Sequence, residues 1–282
     1  MTVLRVALQR KGRLAEDSFR LLAEAGIGIP GIGERLRVPA VGYPLEAYLL
    51  RDDDIPLYVA NGVADIGIVG ENVVQEAAFP LEVVRRLGFG RCRLSLAVPK
   101  DSPIHSVSEV AGKRIATGYP NLTRRFLEQL HLQATIQPLH GSTEIAPSLG
   151  LADAIVDIVA TGSTLLLHGL REVYAFLHSE AVLVRRPGET SPALEDFLFR
   201  IDGVLAARRQ KYILFNLPEH VLQEVVALLP GLKSPTVMPL VEKGWISVHT
   251  VVEEDRFWEV AQRLQGLGAQ GILVLDIEKL IR

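Results

Sequence analysis

The chain has 282 residues, more than one compact domain of ordinary size, so two or three domains are expected. Hydrophobic residues make up 48% and charged residues 22%, with a net charge of −3 and no basic run, which argues against a nucleic-acid partner. One cysteine, Cys92, rules out an intrachain disulfide; no apolar run is long enough to span a membrane, and the N-terminus lacks a signal peptide's apolar region, so the expected compartment is the cytoplasm.

Val3 to Leu8 reads as a first strand. Lys11-Gly12-Arg13 then turns into a helix that carries Phe19, Leu21, Leu22 and Ala25 and stops at Gly26. The loop after a first strand is a common ligand position, so Lys11 and Arg13 are candidates for substrate phosphate, against the alternative of two solvated charges. Asp52, Asp53 and Asp54 precede Ile55-Pro56. Asp and Pro at a helix start are capping and dipole chemistry, and consecutive residues point in different directions, so no metal is assigned there.

Gly62-Val63-Ala64-Asp65 before Ile66–Val69 echoes Gly150-Leu151-Ala152-Asp153 before Ala154–Val156. The echo suggests two α/β lobes of similar build, each presenting a loop after its strand, although Gly-x-Ala-Asp is also a common helix-to-strand turn. Two-lobed proteins of this kind resemble the periplasmic binding protein fold, with ligand in the cleft. The first lobe's loop is Gly70-Glu71-Asn72-Val73. Gly88 to Pro99 reads as the crossing into the second lobe, with Arg91 and Arg93 near the cleft and Cys92 buried and inert. Lys113–Thr117 is a strand ending in Gly118-Tyr119-Pro120, before a helix from Asn121 to Leu130 in which Asn121 is the expected N-cap. His105, His131 and His140 have no metal-like spacing.

Ala154 to Ala160 is an apolar, β-branched run broken only by Asp157, the pattern of a buried parallel strand. Thr161-Gly162-Ser163-Thr164 follows, and Leu165-Leu166-Leu167 opens a helix. Strand, hydroxylated turn and helix start read either as a simple cap or as an anion cradle. Asp157 favours the cradle, because a carboxylate inside an apolar strand is costly without a partner, and this one lies where open α/β sheets bind ligands. No Lys follows the glycine, so this is not a Walker A loop, and a phosphate monoester fits better than a triphosphate. An acid just before Thr-Gly-x-Thr is similar to the ribose-phosphate site of phosphoribosyltransferases.

The longer stretch Gly150-Leu151-Ala152-Asp153-Ala154-Ile155-Val156-Asp157-Ile158-Val159-Ala160-Thr161-Gly162-Ser163-Thr164-Leu165, with His168-Gly169-Leu170-Arg171-Glu172-Val173 after it, resembles the signature of ATP phosphoribosyltransferase, the first enzyme of histidine biosynthesis. Lys11-Gly12-Arg13-Leu14 resembles the family's N-terminal nucleotide-side motif, and Ala116-Thr117-Gly118-Tyr119-Pro120 its Ala-Thr-x-Tyr-Pro motif. Ala160 departs from the family, which often has serine there; this affects one hydroxyl contact.

Strands near Arg171–Leu177 and Ala181–Val184 carry the chain back to the first lobe, and a helix through Leu194–Ala207 leads out. From Lys211 the order is βαββαβ: strands at Tyr212–Phe215, Thr236–Leu240, Trp245–Val252 and Gly271–Leu275, with helices at Glu219–Leu229 and Asp255–Leu267. The expected fold is therefore α/β: a two-lobed, periplasmic-binding-protein-like catalytic unit plus a C-terminal ferredoxin-like, ACT-like domain. Lobe I is read as 1–91 with 179–208, lobe II as 92–178, and the regulatory domain as 209–282.

The resemblance implies that N1 of the ATP adenine attacks C1 of phosphoribosyl pyrophosphate and that pyrophosphate leaves with Mg²⁺. It implies Ala160, Thr161, Gly162, Ser163 and Thr164 for the 5′-phosphate, and Asp157 with Asp153 or Glu144 for the ribose hydroxyls and metal. Glu144 reads equally as a capping carboxylate ahead of Pro147. Lys11, Arg13, Glu71, Asn72, Thr117 and Tyr119 fall to ATP or pyrophosphate. No protein ligand set for a metal is visible, so Mg²⁺ is expected to arrive with substrate. Histidine is the implied inhibitor, at Ser234-Pro235-Thr236, and the implied assembly is a homo-oligomer of dimers and hexamers. The rival readings are a two-lobed small-molecule sensor and a phosphoribosyltransferase for another base.

Overall fold

The computed structural model describes residues 3–30, 35–229 and 234–281. It divides into two compact units, Met1–Arg20 with Ile27–Ser191, and Leu21–Gly26 with Pro192–Arg282.

The first unit holds two sheets. Its elements begin with β1 (Leu4–Gln9), α1 (Arg13–Glu24), β2 (Arg37–Pro39), β3 (Leu45–Leu50), α2 (Ile55–Ala60), β4 (Ile66–Gly70), α3 (Glu71–Ala77) and β5 (Glu82–Arg86). The chain then enters the second sheet with β6 (Cys92–Pro99), β7 (Arg114–Thr117), α4 (Pro120–Gln129), β8 (Thr135–Pro138), β9 (Ala154–Val159), α5 (Ser163–Leu167) and β10 (Leu170–Ser179). It returns as β11 (Ala181–Arg185). The first sheet has the order β2-β3-β1-β4-β11-β5 and the second β10-β6-β9-β7-β8. β1 lies parallel to β3 and β4, and β7 parallel to β8 and β9, so their carboxyl ends point the same way within each lobe.

These central strands are buried on both faces, which is why they read as unbroken apolar runs. Ile66, Ile68, Val69, Ala154, Ile155 and Val156 are all fully buried. In the second lobe Leu94, Leu96, Ile115 and Val156 pack with Phe126 and Leu127 of α4 on one face. Ala97, Ala116, Ile155 and Val159 pack with Leu165 and Leu170 on the other. Asp52–Asp54 form a short 3₁₀ turn into α2, with Pro56 in the helix's first turn.

The second unit comprises α6 (Pro192–Arg208), β12 (Gln210–Pro218), α7 (Leu222–Leu228), β13 (Thr236–Pro239), β14 (Trp245–Glu253), α8 (Phe257–Gly266) and β15 (Gln270–Asp276). Its sheet has the order β13-β14-β12-β15 with antiparallel neighbours, the split βαββαβ arrangement. Ile213, Phe215, Val248, Val225, Val260 and Leu264 form its core. By compactness α6 groups with this unit. Its stripe Leu194, Phe197, Ile201 and Val204 is buried, and Leu280 N donates to Gly203 O at 2.9 Å.

Candidate active site

β9 has the burial pattern of an internal strand until Asp157. Asp157 is half-buried, donated to by its neighbour Ile158 N at 2.7 Å, and forms no ion pair among the described residues. Burial pushes its carboxyl up to about 6; the Ile158 N–H pulls the other way, and the Glu144 carboxylate adds to the rise. An unpaired carboxylate at the carboxyl end of a central strand is unfavourable for folding and suited to a ligand.

Ala160 follows, exposed, and then the turn Thr161–Thr164. Gly162 takes φ +86°, a left-handed conformation that costs glycine little, so the chain can reverse here. Thr161 Oγ1 and Ser163 Oγ lie 3.0 Å apart, and Thr161, Ser163 and Thr164 all stand exposed. The helix after the turn, α5, is only five residues long. A helix this short carries little dipole, so what the turn offers a ligand is its own amides and hydroxyls. Glu144 sits in a 3₁₀ turn, half-buried, 4.0 Å from His168 Nε2. His168 is a neighbour that its place in the sequence alone did not single out.

Asp153 is not brought to this turn. It precedes β9, at the opposite end of the strand from Asp157, and its carboxylate accepts Arg114 N and Arg114 Nη2, each at 2.9 Å. Arg114 holds that carboxyl below the ordinary range, and its oxygens are taken up by the Arg114 amide and guanidinium.

Four of the residues expected to face ATP, Glu71, Asn72, Thr117 and Tyr119, are engaged by other residues of the first unit. Glu71 accepts Arg86 Nη1 and Nη2 at 2.6 and 2.7 Å. Asn72, 5% exposed, accepts Ser179 Oγ at 2.8 Å and donates Nδ2 to Tyr119 Oη at 3.0 Å. Thr117 is fully buried, and its hydroxyl accepts Tyr119 N at 2.9 Å. Burial raises the Tyr119 phenol, so it stays protonated. Asn121 is not the cap of α4; Tyr119 holds that position. The first-turn N–H groups of Asn121 and Leu122 instead donate to Glu76 of α3, in the other lobe, both at 2.8 Å. Lys11 and Arg13, at the end of β1, remain exposed and make no ion pair among the described residues.

Beside the turn lies a cluster that sequence spacing had not assembled. Arg93 donates Nε and Nη2 to Glu172, and Ser95 Oγ also donates to Glu172. The register places Ser95 opposite Asp157 and Arg93 opposite Val159, but no local sequence signal pairs Glu172 with either.

A family model described as ATP phosphoribosyltransferase matches residues 51–203. A protein of that name from Cytophaga hutchinsonii is 51% identical over 284 aligned residues, covering 100% of this chain and 99% of the relative. The chain belongs to the ATP phosphoribosyltransferase family. A second family model, the HisG C-terminal domain, matches residues 207–279, the segment of the split βαββαβ sheet. The ATP phosphoribosyltransferase of Bacteroides thetaiotaomicron is 50% identical over 99% of this chain and 100% of its own length. Among solved structures, the ATP phosphoribosyl transferase HisG:HisZ complex from Thermotoga maritima matches 71% of this chain and 97% of the compared chain, at 32% identity and a TM-score of 0.61. The periplasmic VFT2 domain of Bordetella pertussis BvgS matches 71% of this chain and 86% of its own, at 17% identity and a TM-score of 0.50. That likeness shows the two-lobed fold alone. The stretch that resembles the family signature, residues 150–165, covers β9 and the turn that follows it. Among the described residues no helix is long and apolar enough to cross a membrane.

Proposed function

We propose that the chain carries out its family's pentosyl transfer at the turn after β9. N1 of the ATP adenine attacks C1 of phosphoribosyl pyrophosphate, the C1–oxygen bond to pyrophosphate breaks, and N1-(5-phosphoribosyl)-ATP forms. The observation that carries this placement is Asp157: a half-buried carboxylate without an ion pair among the described residues, four positions before Thr161 of a turn whose hydroxyls are exposed.

In this reading the amides and hydroxyls of Thr161–Thr164 hold the 5′-phosphate. Asp157 accepts ribose hydroxyls, and its negative charge favours the positive charge that develops on the ribose as the leaving group departs. Glu144 assists from the same side. Lys11 and Arg13 receive the polyphosphate of ATP or the pyrophosphate. Pyrophosphate is a good leaving group, so most of the acceleration comes from holding two polyanions in line.

Mg²⁺ is the proposed cofactor. No group of three or more described His, Cys, Asp or Glu side chains is placed to hold a metal by itself. Asp157 and Glu144 are hard oxygen donors, suited to Mg²⁺ that is also bound by substrate phosphates. When bound, the ion neutralises pyrophosphate charge. Cytoplasmic location, self-association into dimers and hexamers, and inhibition by histidine through residues 211–282, with Ser234 and Thr236 in contact, complete the reading. Ser234 and Thr236 are exposed, Thr236 as the first residue of edge strand β13.

Calorimetry with phosphoribosyl pyrophosphate, followed by a pyrophosphate-release assay with ATP and with other bases, tests the proposal. Release that depends on ATP is expected. Binding without turnover would point to a sensor, and release with another base to a different acceptor.

A further inference from the structure

The turn after β9 is anchored by a chain of polar groups that starts in the core. Ser95, 1% exposed on β6, stands opposite Asp157 in the β6–β9 register. Its Oγ donates to Glu172 Oε1 at 2.8 Å. Glu172, on β10, accepts Arg93 Nε and Nη2 at 2.7 and 2.6 Å. The remaining arm of the fork, Arg93 Nη1, donates to the carbonyl oxygen of Ala160 at 3.3 Å. Ala160 is the last residue before the hydroxylated turn.

The consequence follows from the peptide bond. It is planar and trans, so the N–H of Thr161 points opposite to the C=O of Ala160. With that carbonyl held on Arg93, the Thr161 N–H is directed away from the cluster. It has no acceptor among the described residues. We propose that Arg93 is a positioning residue for phosphoribosyl pyrophosphate: by holding the Ala160 carbonyl, it aims the Thr161 amide at the 5′-phosphate without touching substrate. This rests on the functional reading above.

The residue types fit the task. Only a guanidinium presents enough donors in a rigid plane to grip a carboxylate with two and a carbonyl with a third. Arg93 and Ser95 hold the Glu172 carboxyl below its usual range against the effect of burial, so Glu172 remains an anion and the fork stays locked. Lysine, a point charge on a flexible stem, cannot hold both partners in one geometry.

The test is calorimetry and steady-state kinetics on the full chain. Arg93→Met is expected to raise the Kd and KM for phosphoribosyl pyrophosphate about tenfold or more, with the KM for ATP changed less than about twofold. Arg93→Lys is expected to recover only a minor part of the loss. Arg93→Met combined with Glu172→Gln is expected to bind no worse than Arg93→Met alone, because Glu172 acts through Arg93. Should Arg93→Met fold poorly, Ser95→Ala carries the test, with a weakening of about two- to fivefold expected. An unchanged Kd in these variants, an equal loss for both substrates, or additive losses in the double variant overturns the inference while wild-type binding keeps the functional reading intact. Wild-type protein that shows no heat with phosphoribosyl pyrophosphate overturns that reading, and this inference with it.

Discussion

Asp153 holds Arg114 in the same clamp by which Asp65 holds Arg5. In each pair the Asp backbone N–H donates to the Arg carbonyl at 2.9 Å. The Arg backbone N–H donates to Oδ2, at 2.9 Å for Arg114 and 2.8 Å for Arg5, and both Nε atoms donate to Oδ2 at 3.2 Å. Each clamp follows a glycine at φ +70°, Gly150 or Gly62. Each joins the amino ends of two parallel neighbours, β7 with β9 and β1 with β4. The echo in the sequence is thus a repeated structural device, one per sheet, and in the second sheet it sits at the end opposite the hydroxylated turn.

Asp153→Ala should therefore destabilise the protein and spare the chemistry. It removes a partner from the Arg114 amide and guanidinium, a loss of about 1–3 kcal/mol. Thermal melting should show the drop, with kcat and both KM values of the folded enzyme unchanged well below the transition. Asp65→Ala should behave alike. A large fall in kcat with an unaltered melting temperature would return Asp153 to the catalytic set.

Asp157 should show the opposite trade. Its ordinary value of 3.8 rises to about 6 in the folded chain, so folding disfavours its ionised form. Stability linked to this group is full below about pH 4 and is lost as pH rises through 6. Asp157→Asn should accordingly melt higher than wild type at pH 8, by an amount worth about 2–3 kcal/mol, with the gap closing near pH 4. Its kcat should fall by more than its KM for ATP rises. The acidic limb near pH 6 in the wild-type kcat/KM profile should vanish in the variant. A wild-type kcat in Asp157→Asn would leave the residue only a structural acceptor.

Thr161→Val with Thr164→Val should weaken phosphoribosyl pyrophosphate binding without loss of fold, since both side chains are exposed. Each lost hydrogen bond to a charged oxygen is worth roughly 1.5–3 kcal/mol. Calorimetry measures the loss directly, and unchanged KM and kcat would place the phosphate elsewhere.

Histidine should inhibit without competing with either substrate, and Thr236→Val should weaken it. A tenfold rise in the inhibitory concentration corresponds to ~1.4 kcal/mol of lost preference between conformations. Inhibition kinetics on the full chain decide this; competition against both substrates would locate histidine in the active site instead.

Much of the architecture was legible because local pattern and tertiary demand coincide. The apolar runs at Ile66–Val69 and Ala154–Val156 announce strands buried on both faces, and the alternation from β12 onward announces the split βαββαβ sheet. Asp157 stood out because a lone carboxylate in such a run conflicts with burial. The strands β2, β3, β5 and β8 were not read from the sequence; β2 and β8, of three and four residues, are too brief to carry a periodicity.

The sequence by itself determined which segments could be strands, where the hydroxylated turn lies and that Asp157 is out of place in its run. All of that is carried by neighbours along the chain. Only the tertiary structure decided which polar groups remain free for a ligand, because that depends on partners far apart in sequence. Asn72 is taken up by Ser179, 107 residues away, and Arg93 by Glu172, 79 residues away. Asp153 finds Arg114 across 39 residues, whereas Asp157, four positions further on, finds no cation among the described residues. The two acids belong to one strand segment, and the cation that neutralises one of them sits on β7 at the amino end of the sheet, beyond the reach of the other.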